Sequence, residues 1–78
     1  MNTEIHLTIK KMRLLRNYTQ EYLASELEIS QKAYSNLESG KTKIDVVRLS
    51  KICRILEIPV ENIIRYNHKV FFELFNKT

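Results

Sequence analysis

The chain has one cysteine, one proline, one glycine and no tryptophan among its 78 residues. A single thiol, Cys53, excludes an internal disulfide and leaves no thiol set for a metal. It fits a reducing compartment and an apolar helical face, where it is expected to be inert. With Gly40 and Pro59 the only strong breakers, the default conformation is helix joined by short connections. No apolar run approaches the roughly 18 residues that a membrane span needs, and Glu4 stands where a secretory signal would be basic. A soluble, cytoplasmic chain without a membrane partner is therefore expected. Catalytic groups are equally scarce. His6 and His68 lie far apart, with no Cys, Asp or Glu at ligand spacing. No Ser-His-Asp set, carboxylate pair or phosphate-cradling glycine loop can be assembled around them. Neither enzymatic activity nor a cofactor, a metal or a small-molecule substrate is expected.

What the chain does have is positive charge and helical periodicity. Thirteen Lys and Arg against nine Asp and Glu give a net charge of +4, a balance that favours polyanions without establishing that they bind. Ile5, Ile9 and Met12 share one face of a first helix over 5–17, with Lys10, Lys11, Arg13 and Arg16 on the remaining positions. Asn17 suits the left-handed residue at its end. Thr19 offers an N-cap for a second helix over 20–27, and Ser30 one for a third helix that runs to about Ser39, where Gly40 stops it. Leu23, Ala24, Leu27, Ile29, Tyr34 and Leu37 have the spacing of two short packed helices, with Ala24 small enough to let them cross steeply. Asp45 caps a fourth helix with Val46, Leu49, Ile52, Cys53 and Leu56 on its apolar face. Pro59 ends it, and a short fifth helix covers Val60 to Ile64. The expected fold is all-α: a compact five-helix domain over 5–65, with a helix-turn-helix at 20–39 and a separate tail over 66–78.

Four stretches carry a resemblance: Tyr18-Thr19-Gln20-Glu21-Tyr22-Leu23-Ala24, then Ile29-Ser30-Gln31, then Leu37-Glu38-Ser39-Gly40-Lys41, and last Leu56-Glu57-Ile58-Pro59-Val60. In that register, from about Ile9 to Ile64, the chain is similar to the Cro and phage-repressor type of helix-turn-helix DNA-binding domain, the xenobiotic-response-element family. The resemblance implies that Gln20 anchors a phosphate at the start of the second helix. It implies that Gln31, Lys32, Ser35 and Asn36 face bases in the major groove, that Lys41 and Lys43 meet phosphates, and that Arg13 and Glu38 form a structural ion pair. The chemistry suits those roles, because Gln and Asn pair with adenine in bidentate fashion and Lys donates to guanine. A solvated amphipathic face is the plain alternative for the same residues. Three positions depart from the family pattern: Glu28 replaces a turn glycine, Ile44 stands where a proline is common, and Tyr34 exceeds the usual Val or Ile. At Glu28 a left-handed residue with a Cβ is expected to cost on the order of 1 kcal/mol.

The tail holds all three phenylalanines. Val70, Phe71, Leu74 and Phe75 fit a helical stripe, whereas Val70, Phe72 and Leu74 alternate as in a strand, so its conformation stays open. Packing back on its own domain is one outcome. Burial of Val70, Phe71, Phe72, Leu74 and Phe75 against a second copy is the one expected, because so small a domain gains from hiding apolar surface in an interface. The expected function is that of a homodimeric regulator, repressor-like, on a palindromic double-stranded DNA operator. The alternative is an antitoxin or anti-regulator that binds a partner protein through the tail.

Overall fold

In the computed structural model, residues 5–66 are described, with side chains as far as Ile63. Val70, Phe71, Phe72, Leu74 and Phe75, assigned above to a dimer interface, lie outside the described residues. Five helices follow in order: α1 (Ile5–Leu15), α2 (Gln20–Leu27), α3 (Gln31–Ser39), α4 (Val46–Leu56) and α5 (Val60–Tyr66). No strand occurs among the described residues. The all-helical architecture is the expected one; α1 ends two residues earlier than expected and α5 runs two residues further.

The starts of α2, α3 and α4 are set by the side chains expected to cap them. Thr19, Ser30 and Asp45 adopt extended backbone and accept from the amides of Tyr22 at 3.0 Å, Ala33 at 3.0 Å and Arg48 at 2.7 Å. Each bond satisfies one of the amides that a helix N-terminus leaves unpaired.

The helix ends are less ordinary. Asn17, Glu28 and Glu57 all have left-handed backbone, with φ of 62°, 61° and 59°. In each case the left-handed residue and the one after it donate back into the last turn. Asn17 and Tyr18 reach the carbonyls of Leu14 and Arg13; Glu28 and Ile29 reach Ser25 and Ala24; Glu57 and Ile58 reach Arg54 and Cys53. This is the paired arrangement of a Schellman ending. The residue after each, Tyr18, Ile29 and Ile58, packs against the core. Hydrogen bonds and apolar burial thus offset the steric cost of a Cβ at a position that usually carries glycine.

At Gly40, with φ of 88°, a Cβ would lie 2.9 Å from Nε2 of His6, so α1 and the end of α3 approach over a bare backbone. Glu28 and Gly40 therefore give expectations of opposite sign. Glu28→Gly should stabilise the fold by about 0.5–1 kcal/mol, because it relieves the left-handed strain at some entropic cost. Gly40→Ala should destabilise it by about 1–2 kcal/mol. Melting temperatures of the two variants check both, and a lower Tm for Glu28→Gly would refute the strain account.

The core is built from helical spacing. Ile5, Ile9 and Arg13 recur every four residues on the buried side of α1, and Leu49, Ile52, Cys53 and Leu56 line that of α4. Leu23, Tyr34 and Ile52 are wholly buried at the centre. Ala24 is buried beside Leu23 on α2. Ile44, in place of a proline, turns into the core from the α3–α4 loop. Burial pushes the Cys53 thiol up to about 11, which leaves it protonated and unreactive at neutral pH.

Arg16, placed above off the apolar face of the first helix, has a definite structural task. Its guanidinium donates to the carbonyls of Leu56 at 2.7 Å and Glu57 at 3.1 Å. It thereby ties the end of α1 to the negative end of α4.

Candidate nucleic-acid interface

Ser30 caps α3 so that Gln31 and Lys32 are its first two residues, and both are exposed. One turn on, Ser35 and Asn36 share that side of the helix, half-buried. The loop after Gly40 folds back over the helix end, where the amide of Thr42 donates to the carbonyl of Asn36 at 3.1 Å. That bond brings Lys41 beside Asn36. The outcome is one open depression of about 340 Å³ lined by Gln20, Gln31, Lys32, Ser35, Asn36 and Lys41. Every residue that lines it is of a polar type, two are lysines and none is a carboxylate. Of the seven residues assigned above to DNA contact, six converge here. Lys43 is exposed two residues further along the loop and does not line the depression.

Beneath this surface the three helices are joined at one carboxylate. Glu38 of α3 accepts from Nε of Arg13 at 2.8 Å, from Nη2 of Arg13 at 3.0 Å, from Nε2 of Gln20 at 2.9 Å and from the Tyr34 hydroxyl at 2.7 Å. Arg13 also donates through Nη1 to the carbonyl of Tyr18 at 2.8 Å. The ion pair implied by the resemblance is thus present, in bidentate geometry and buried, with side chains 9% and 2% exposed.

Burial by itself would raise the Glu38 carboxyl. The hydrogen bonds from Arg13, Tyr34 and Gln20 outweigh it and hold the group below its usual range. Burial and the neighbouring carboxylate push the Tyr34 phenol far above its ordinary value. The hydrogen bond to Glu38 raises the Arg13 guanidinium further still. At neutral pH Glu38 is ionised, Arg13 is charged and Tyr34 is a neutral donor.

Two of these contacts escape a reading of the sequence. Tyr34 stands out there only for its size, although its spacing of four from Glu38 is the spacing of a helical side-chain pair. Gln20 is assigned outward to a phosphate, and the structure turns one of its amide hydrogens inward to Glu38. An amide nitrogen has two hydrogens, so the inward bond leaves a second donor and the carbonyl oxygen for a ligand.

Among the described residues no three His, Cys, Asp or Glu side chains gather as a metal ion would need. No helix among them is long and apolar enough to cross a membrane.

Two short helices in contact and separated only by residues 28–30, the second presenting polar residues from its capped N-terminus, have the form of a helix-turn-helix unit. A family model described as helix-turn-helix matches residues 9–63, and the chain belongs to that family, in its Cro and phage-repressor type. Among curated proteins it is similar to the SPbeta prophage-derived uncharacterized HTH-type transcriptional regulator YonR of Bacillus subtilis (strain 168). The two are 30% identical over 63 residues, covering 81% of this chain and 58% of that protein. The chain thus aligns with little more than half the length of this relative. No solved structure gives a significant match.

Proposed function

We propose that the protein is a sequence-specific double-stranded DNA-binding transcriptional regulator. In this reading it acts in the cytoplasm as a homodimeric repressor on a palindromic operator, with no enzymatic activity and no cofactor. One observation carries the reading: Gln31, Lys32, Ser35 and Asn36 of α3 share a single carboxylate-free depression with Gln20 and Lys41. In such a unit the N-terminal residues of the second helix meet base edges, while the start of the first helix and the following loop hold the phosphates. Thr19 engages the amide of Tyr22, which leaves the first amides of α2 for a phosphate oxygen at the positive end of that helix. Membership of the helix-turn-helix family and the regulator named above favour the same role.

Two copies with recognition helices about 34 Å apart would enter successive turns of the major groove. Occupancy would then block polymerase by position. Selection of bound sequences from random duplexes with the purified protein tests the whole reading. A palindrome with half-sites one helical turn apart is the expected product. Recovery of a single half-site would remove the dimer, and recovery of no sequence would remove specific binding.

A further inference from the structure

We propose that Tyr34 is a positioning residue for DNA contact by Gln20, acting through Glu38; the inference rests on the DNA-binding reading above. Tyr34 is wholly buried on the inner side of α3, and its hydroxyl donates to Oε2 of Glu38 at 2.7 Å. The same oxygen accepts from Nε of Arg13 at 2.8 Å, and Oε1 accepts from Nη2 of Arg13 at 3.0 Å and from Nε2 of Gln20 at 2.9 Å. A carboxylate offers about four lone-pair sites, so these four donors saturate Glu38. Arg13, itself tied through Nη1 to the carbonyl of Tyr18, grips the carboxylate as a two-pronged pair, which restrains tilt out of the shared plane least. The Tyr34 hydroxyl, placed one turn earlier on the same helix as Glu38, adds a third direction and fixes the plane. Oε1 is then fixed opposite the start of α2, where Gln20 meets it.

Gln20 lines the depression with Gln31, Lys32 and Lys41. A free glutamine surrenders most of its rotamer freedom when it is captured by a ligand. A carboxamide already tethered through one hydrogen has surrendered that freedom on folding, so its second hydrogen and its oxygen engage a phosphate or a base edge at lower entropic cost. A core hydroxyl thereby reaches the DNA surface through two hydrogen bonds.

A double-mutant cycle on duplex affinity tests this, using the full chain, the selected operator and a temperature well below melting. Tyr34→Phe keeps the ring in the core and removes only the donor. Tyr34→Phe and Gln20→Ala are each expected to weaken binding by about 3- to 10-fold, with the double variant no weaker than Gln20→Ala alone. Multiplied losses in the double variant, or wild-type affinity for either single variant, would overturn the proposal.

A second readout needs no DNA and no variant. In the free wild-type protein, the Gln20 side-chain amide should exchange its anchored hydrogen more slowly than the Gln31 amide, as followed by NMR. Equal exchange would overturn the hold on Gln20. Absence of any duplex binding by the wild type would instead overturn the DNA reading and the contact with it, while the exchange measurement still decides whether Gln20 is held.

Discussion

Arg13→Ala is expected to destabilise the protein by about 3–5 kcal/mol, the usual result when one partner of a buried ion pair is removed and the other stays behind uncompensated. Native domains hold roughly 0.05–0.15 kcal/mol per residue, so a loss of that size removes a large share of the stability of a chain of 78 residues. The substitution deletes two bonds to Glu38 and one to the carbonyl of Tyr18. It leaves an ionised carboxylate, 2% exposed, with only Tyr34 and Gln20 to satisfy it.

The pH dependence separates this account from a simple packing loss. Glu38 in the wild type is held below its unfolded value of 4.5, so its contribution is complete above that pH and is lost as the pH falls through the lower native value. The Tyr34 phenol is raised above 10.0, so its contribution is complete below that pH and is lost on further alkalinisation. In Arg13→Ala the strongest lowering influence on Glu38 is gone while the upward push of burial remains. The variant should therefore recover stability when taken from neutral pH towards pH 5, a range over which the Glu38 contribution in the wild type does not change. Urea titrations across that range check it, and parallel curves for the two proteins would refute the buried-charge explanation. The paired substitution Arg13→Met with Glu38→Leu should restore part of the loss, since apolar replacement of a whole buried pair is often neutral. Restoration would stop short of wild type because the Tyr34 hydroxyl then has no acceptor, at a cost of about 1–3 kcal/mol.

What could be read from the sequence follows the range of the interactions concerned. Thr19, Ser30 and Asp45 act on amides three residues away, so local chemistry identifies them. The apolar faces of α3 and α4 show in their spacing for the same reason. Helix ends were only half legible. Asn17 is a residue type that tolerates left-handed backbone, and the register of the family singles out Glu28. Nothing local marks Glu57, which is stabilised there by Ile58 packing against a core that exists only once the chain has folded. Arg16 reaches carbonyls 40 and 41 residues away, and neither periodicity nor propensity carries that information. The candidate site divides in the same way. Gln31, Lys32, Ser35 and Asn36 follow from one capped helix, whereas the inward bond of Gln20 depends on where Glu38 sits across a tertiary contact. Tyr34, flagged as too large for its position, uses the excess for a hydroxyl that a Val or Ile could not supply.

Gln31→Ala and Lys41→Ala should both weaken DNA binding, and the form of the two losses distinguishes base reading from charge. Gln31 is the first residue of α3, with a carboxamide that can donate to and accept from one adenine at once. Its removal should cost about 1–3 kcal/mol on the selected operator, or about 5- to 150-fold in affinity. It should cost almost nothing on scrambled duplex, because non-specific binding is carried by phosphate charge. Lys41 lies in the loop beyond the helix and shares the depression, and a lysine that neutralises one phosphate releases about one counterion. Lys41→Ala should therefore weaken operator and scrambled duplex alike and flatten the slope of log affinity against log salt by about 0.9. Anisotropy titrations of both variants on both duplexes over a salt series contain all four quantities. Equal operator affinity for Gln31→Ala and wild type would remove Gln31 from base reading. A loss at Lys41 confined to the operator would move that lysine from the backbone to a base edge, where its proximity to Asn36 would then be the deciding geometry.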